Sequence, residues 1–111
     1  MNDLFNKVCE PCRTGADPMT KEEMEKQKAL VPDWDLIESQ GIKKLRKTFK
    51  FKNFQQALTF TNKVGALAEK EDHHPAILTE WGKVCVTFHT HKVKGLHMND
   101  FIMAAKTDML V

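Results

Sequence analysis

Apolar and polar residues recur in this chain at two different spacings, and the changes from one to the other divide it into elements. Thr20 is followed three residues later by Glu23, the spacing of a capping box, so a helix is predicted to start there and to stop before Pro32. Only Met24, Ala29 and Leu30 give it an apolar side, which makes it a surface helix with one narrow buried stripe. Trp34 to Glu38 then alternates, Ser39-Gln40-Gly41 supplies turn residues, and Ile42 to Phe51 alternates again, which together predict a hairpin. In its second strand Leu45, Phe49 and Phe51 share one face while Lys44, Arg46, Lys50 and Lys52 point to the other.

Asn53, with Gln56 three positions on, is an N-cap signature for the longest helix, predicted over 54 to 71. Phe54, Leu58, Thr61, Val64 or Gly65, and Leu67-Ala68 recur at three- and four-residue steps and are expected to form its buried stripe. A second hairpin follows, from Ile77 to Trp81, through Gly82, and from Lys83 to about Thr90. Val84, Val86 and Phe88 fall on its buried face, and Cys85, Thr87, His89 and His91 on the other. After Lys94-Gly95 a last helix is predicted from about Asn99, with Phe101, Ile102, Ala105 and Met109 available to pack. The order is α-β-β-α-β-β-α, and the simplest packing that buries every stripe is an α+β fold, a four-stranded antiparallel sheet with three helices on one face. Residues 1 to 19, with Pro11, Gly15 and Pro18 and no helical or strand period, read as an N-terminal arm, and 20 to 111 as a single domain.

Composition narrows the class further. With 111 residues, 41% hydrophobic and 29% charged, the chain has the make-up of one globular domain rather than a disordered segment. No stretch approaches the roughly 20 apolar residues of a membrane span, and Met1-Asn2-Asp3-Leu4-Phe5 lacks the pattern of a signal peptide, so a cytoplasmic protein without membrane association is expected. Lys43, Lys44, Arg46, Lys47, Lys50 and Lys52 crowd one strand, yet the net charge is only +2 and the strand's aromatic residues fall on its core face. The basic run is therefore read as a solvated strand face, and nucleic acid is not expected as a partner. Three cysteines do not make a disulfide framework. Cys9 and Cys12 form a CxxC pair without a second such pair to complete a structural zinc site.

The candidate chemistry lies in the histidines, all five of which fall between His73 and His97. His73-His74-Pro75 follows the acidic stretch Glu69-Lys70-Glu71-Asp72, and Pro75 restrains His74 to an extended backbone. Imidazoles exchange protons near neutral pH, so this doublet suits acid-base work. Glu69 lies four residues before His73 and, if the last helical turn persists, can reach it. His73, His74 and His91 are the site candidates, with Glu69 and Asp100 as carboxylates that orient or balance them. His89 and His97 are read as loop or helix-cap residues. Although His73, His74, His89 and His91 offer four imidazoles, adjacent histidines before a proline rarely converge on one ion, and no cysteine or carboxylate stands at a recognised ligand spacing; no metal is expected.

The stretch from Ala68 through Glu69 and His73-His74-Pro75, followed by Trp81, Val84, Thr87, Thr90-His91, Gly95-Leu96 and Asp100, resembles the pterin-4a-carbinolamine dehydratase family. The element order agrees over about residues 20 to 108, and the specific part is 68 to 100. The resemblance implies a hydro-lyase that removes water from 4a-hydroxytetrahydropterin, the product of aromatic amino acid hydroxylases, and gives the quinonoid dihydropterin without metal or cofactor. It implies His73 and His91 as the proton-transfer pair, and His74, Glu69 and Asp100 as the residues that bind and orient the pterin. It also implies a homodimer or homotetramer, and as the alternative function a non-catalytic role as a binding or dimerisation cofactor of a regulatory partner. Two positions depart from the family pattern: Ile77 stands where many members carry an aromatic residue, and His97 where threonine usually caps the helix.

Overall fold

The computed structural model describes residues 19–90 and 95–111. In chain order the elements are α1 (Lys21–Lys28), β1 (Asp35–Ser39), β2 (Ile42–Lys50), α2 (Phe54–Glu71), β3 (Ala76–Glu80), β4 (Lys83–Phe88) and α3 (Met98–Asp108). The strands form one antiparallel sheet in the order β1-β2-β4-β3, so both the fold class and the element order match the expectation. The predicted arm lies outside the described residues apart from Met19, whose N–H donates to the Leu96 carbonyl.

Both hairpins close through two-residue turns. Ser39 pairs with Ile42, leaving Gln40 and Gly41 at φ of 54° and 77°, the left-handed pair whose twist suits an antiparallel hairpin. Glu80 pairs with Lys83 around Trp81-Gly82. Gly82 sits at φ 104° and its carbonyl oxygen accepts from the Phe51 N–H at 2.8 Å, an approach so close that a β-carbon on Gly82 would lie 3.1 Å from the Phe51 oxygen.

One face of the sheet carries the core. Leu45, Phe49, Val84, Val86 and Phe88 are buried on it, and register places Leu45 opposite Phe88 and Phe49 opposite Val84. Trp34 is fully buried just before β1 and packs against Phe49 edge-on at 5.9 Å and against Phe88 at 5.7 Å. Met24 and Val31 join this cluster from α1 and the segment behind it. The basic residues of β2 divide as expected in part: Arg46 and Lys50 are exposed, whereas Lys47 shares the core-side face and is half-buried.

The long helix keeps its predicted limits and the C-terminal part of its predicted stripe, Val64 and Ala68, but not the N-terminal part. Ala57, Phe60, Val64 and Ala68 are the buried residues of α2, while Phe54 and Leu58 are exposed. The sheet selects this side because Phe60 can meet Phe49 at 4.6 Å and Phe51 at 5.1 Å, and because the small Ala57 and Ala68 let the helix approach closely. Thr61, which the predicted stripe did include, reaches the sheet through a 2.6 Å hydrogen bond to Thr79 of β3. In α3 the sequence from Phe101 to Ala105 is buried throughout, so this helix is covered on more than one side. Met109, expected to pack, is exposed just beyond the end of the helix at Asp108.

Candidate active site

The site begins where α2 ends. Its C-cap, Asp72, takes the left-handed conformation at φ 52° and ψ 44°, and the N–H groups of Asp72 and His73 both donate to the Ala68 carbonyl. This reversal takes His73 off the helical line. Glu69 therefore does not meet His73, as the four-residue spacing suggested; its Oε1 lies 3.2 Å from Nε2 of His74, five residues away. His74 and Glu69 are both exposed, so this pair is screened by water and leaves the two side chains open to a ligand.

His73 turns inward instead. Its side chain is only 10% exposed, its ring lies nearly parallel to Phe88 at 6.2 Å, and Nε2 is 2.6 Å from Oδ1 of Asp100. Asp100 is 0% exposed, and a carboxylate so buried needs donors to replace its water. It has three. Besides His73 on Oδ1, the Thr90 hydroxyl donates to Oδ2 at 2.7 Å and the backbone N–H of His97 donates to Oδ2 at 2.9 Å.

Local sequence explains how α3 presents this carboxylate. His97 is the N-cap, its Nδ1 accepting from the Asn99 N–H at 3.1 Å, and Asp100 reaches back to the cap's own N–H, so the two form a reciprocal capping box. The first turn of a helix also favours negative charge there. The reading of His97 as a cap is thereby met. Thr90 is brought in from the sheet side, beyond the end of β4, by an antiparallel bridge in which its N–H donates to the Gly95 carbonyl at 2.8 Å.

An ionised carboxylate accepts hydrogen bonds and does not donate them, so with Asp100 ionised the hydrogen between it and His73 lies on Nε2. That leaves Nδ1 as the nitrogen of His73 able to accept a proton when the ring is neutral. Chemically the arrangement is a proton-exchanging group with a fixed buried anion behind it, beside a more exposed histidine-glutamate pair. His91, Cys9 and Cys12 lie outside the described residues. Two grooves elsewhere, one lined by Phe51, Gln56, Phe60 and Leu110 and one by Lys50, Trp81 and Lys83, contain no histidine. Among the described residues no three His, Cys, Asp or Glu side chains gather as a metal-binding group, and no helix is long and apolar enough to cross a membrane.

Sequence reasoning had not assigned Thr90 a role. The signal was available, since alternation along β4 puts Thr90 on the same side as Val84, Val86 and Phe88, and a polar residue on a core face needs a partner. Phe88 was read as core only, and it is also the surface against which His73 is packed.

Residues 17–110 match the family model for pterin 4 alpha carbinolamine dehydratase. A curated relative from Microcystis aeruginosa is 56% identical over 108 residues, covering 97% of this chain and 93% of its own, and one from Nitrosococcus oceani is 55% identical over 111 residues, covering 100% and 98%; both carry the provisional name pterin-4-alpha-carbinolamine dehydratase. Among solved structures, a protein from Brucella melitensis described as a transcriptional coactivator/pterin dehydratase is similar at TM-score 0.77 and 31% identity, over 85% of this chain and 98% of that one. A pterin dehydratase-like RuBisCO assembly factor of the alpha-carboxysome, at TM-score 0.60 and 24% identity over 70% of this chain and 88% of its own, shares the fold. With the match running through both the sheet and the histidine-bearing segments, this chain belongs to the pterin 4 alpha carbinolamine dehydratase family.

Proposed function

We propose that this protein dehydrates 4a-hydroxytetrahydropterin to the quinonoid dihydropterin by histidine acid-base catalysis, in the recycling of the pterin used by an aromatic amino acid hydroxylase. The observation that carries the reading is the His73–Asp100 pair, a nearly buried imidazole on a fully buried carboxylate, in a chain of this family. In the reaction the bond between C4a and its hydroxyl oxygen breaks, the oxygen takes a proton and leaves as water, N5 gives up its proton, and a double bond forms between N5 and C4a. One proton is delivered and one removed, which suits two imidazoles of opposite protonation state.

In this reading His73 and His91 are the proton-transfer pair. His74, paired with the exposed Glu69, binds and orients the pterin. Asp100 has no surface left for substrate, so its place is behind His73: it holds the ring's orientation and stabilises the charge that the ring gains on accepting a proton. Ile77 is half-buried on β3 and packs against the hydrophobic core.

The test is stopped-flow dehydration of enzymatically generated 4a-hydroxytetrahydropterin with the wild type, His73→Ala and His91→Ala at matched folding. Wild-type acceleration that falls about 100- to 10,000-fold in either variant supports the assignment. A well-folded wild type that leaves dehydration at its spontaneous rate overturns it, and would turn attention to the binding role suggested by the coactivator description of the Brucella relative.

A further inference from the structure

Asp100 offers its two oxygens to different parts of the fold. Oδ1 faces only His73 among the hydrogen bonds described, whereas Oδ2 takes both the Thr90 hydroxyl and the His97 N–H. The terminal torsion of an aspartate is broad, so the donors on its two oxygens set the plane of the carboxylate. The His97 donor belongs to the same helix turn and moves with Asp100. The Thr90 hydroxyl comes from beyond β4, on the other side of the site, and ties the carboxylate to the sheet. Thr90 is 3% exposed, and its single hydroxyl hydrogen is committed to this bond.

We propose that Thr90 is a positioning residue of the dehydration centre. Together with the His97 N–H, its hydroxyl fixes the plane of the Asp100 carboxylate, and it alone of these two donors ties that plane to the sheet, so that Oδ1 keeps the hydrogen of His73 on Nε2 and Nδ1 is the ring nitrogen presented to substrate. The inference rests on the dehydratase reading for its kinetic consequence and on the geometry alone for the tautomer. Thr90 touches no reacting atom, and the effect passes through Asp100 to His73. A purely structural threonine would alter stability and leave both the turnover number and the His73 tautomer alone.

The experiment compares wild type with Thr90→Val, which keeps the shape and removes the hydroxyl, with Thr90→Ser, which keeps the hydroxyl, and with Thr90→Ala in case the valine variant does not fold. Dehydration kinetics are paired with nitrogen-15 NMR of the His73 ring in the free protein. Thr90→Val, or Thr90→Ala in its place, is expected to lower kcat about 10- to 100-fold with KM changed less than about twofold, because a misplaced catalytic group costs on that scale. Thr90→Ser should recover most of the loss. The spectrum should show hydrogen on Nε2 in wild type and Thr90→Ser, and a mixture of tautomers where the hydroxyl is gone. An active wild type together with a Thr90→Val or Thr90→Ala protein of unchanged kcat and unchanged tautomer overturns the inference and leaves the dehydratase reading standing. A wild type with no dehydratase activity overturns that reading, while the NMR comparison still decides whether Thr90 controls the ring. A variant that loses kcat with its tautomer intact also overturns the proposed route, and points to the neighbouring His91 instead.

Discussion

Helix α3 carries an aspartate near each end, and the two are put to different uses. Asp100, in the first turn, is fully buried, sits where the helix N-terminus favours a negative charge, and receives an imidazole, a hydroxyl and a backbone N–H. Asp108, the last helical residue, is part-exposed and sits where the helix dipole opposes it. Its Oδ1 is held by the Lys47 ammonium at 2.8 Å and by the Trp34 indole N–H at 3.1 Å, and Lys47 also lies 4.6 Å from the Phe49 ring centre. An ammonium and an indole N–H serve here only as donors, and the clamp straps the helix to the sheet. A histidine partner can exchange its proton, and burial of the anion behind it removes the competing water. The same residue type on one helix thus serves structure at one end and is placed for chemistry at the other, and the partner's proton chemistry makes the difference.

The comparison is broken most severely at the catalytic end. In Asp100→Asn the amide oxygen is expected to keep the Thr90 and His97 donors, which turns the NH2 toward Nε2 of His73 and forces the ring's hydrogen onto Nδ1. A fall in kcat of about 100-fold or more is expected, with a far smaller change in KM, and a tautomer reversed in the NMR spectrum. An Asp100→Asn enzyme with wild-type kcat would show that the buried carboxylate is structural, like Asp108. The opposite pattern is expected at the other end. Asp108→Ala removes a part-buried anion and two hydrogen bonds and should cost about 1–2 kcal/mol in urea unfolding with kcat unchanged.

The smallest effect is expected at a third helix-end carboxylate, Glu23 of α1. It is fully exposed, and hydrogen bonds from the Thr20 backbone N–H and then the Thr20 side chain hold its carboxyl below the usual range. A carboxyl depressed in the folded state adds stability above its unfolded pKa, and that stability is lost as the pH falls through the folded value. Thermal unfolding from neutral pH down through the carboxylate range should therefore show a slightly weaker acid dependence in Glu23→Gln, with nearly the same midpoint at pH 7. An identical acid slope in the two proteins would remove this cap from the account.

Much of the fold was legible because its signals are local. The Thr20–Glu23 box, the Asn53 cap and the alternation of β2 and β4 each act within a few residues, and each appears where the sequence places it. The first turns of the α2 stripe were misplaced because Phe54 and Leu58 stand at a helical spacing, as Ala57 and Phe60 do, and nothing local ranks one side of the helix above the other. Packing against Phe49 and Phe51 settles it. The site divides in the same way. His73, His74, Glu69 and Asp100 stood out by residue type and by resemblance, but the pairing of Glu69 was misjudged because one left-handed residue, Asp72, ends the helix between them.

The amino-acid sequence by itself determined the element order, the helix caps, the turn positions and the segment that bears the histidines, since each depends on side chains within about one helical turn or two strand residues of one another. Only the tertiary structure decided that Asp100 belongs to His73, 27 positions away, and that Thr90 holds the other oxygen of the same carboxylate. That partnership is made by the packing of α3 beside the C-terminal end of α2 and the end of β4, where a buried anion must take whichever donors the neighbouring elements bring within reach.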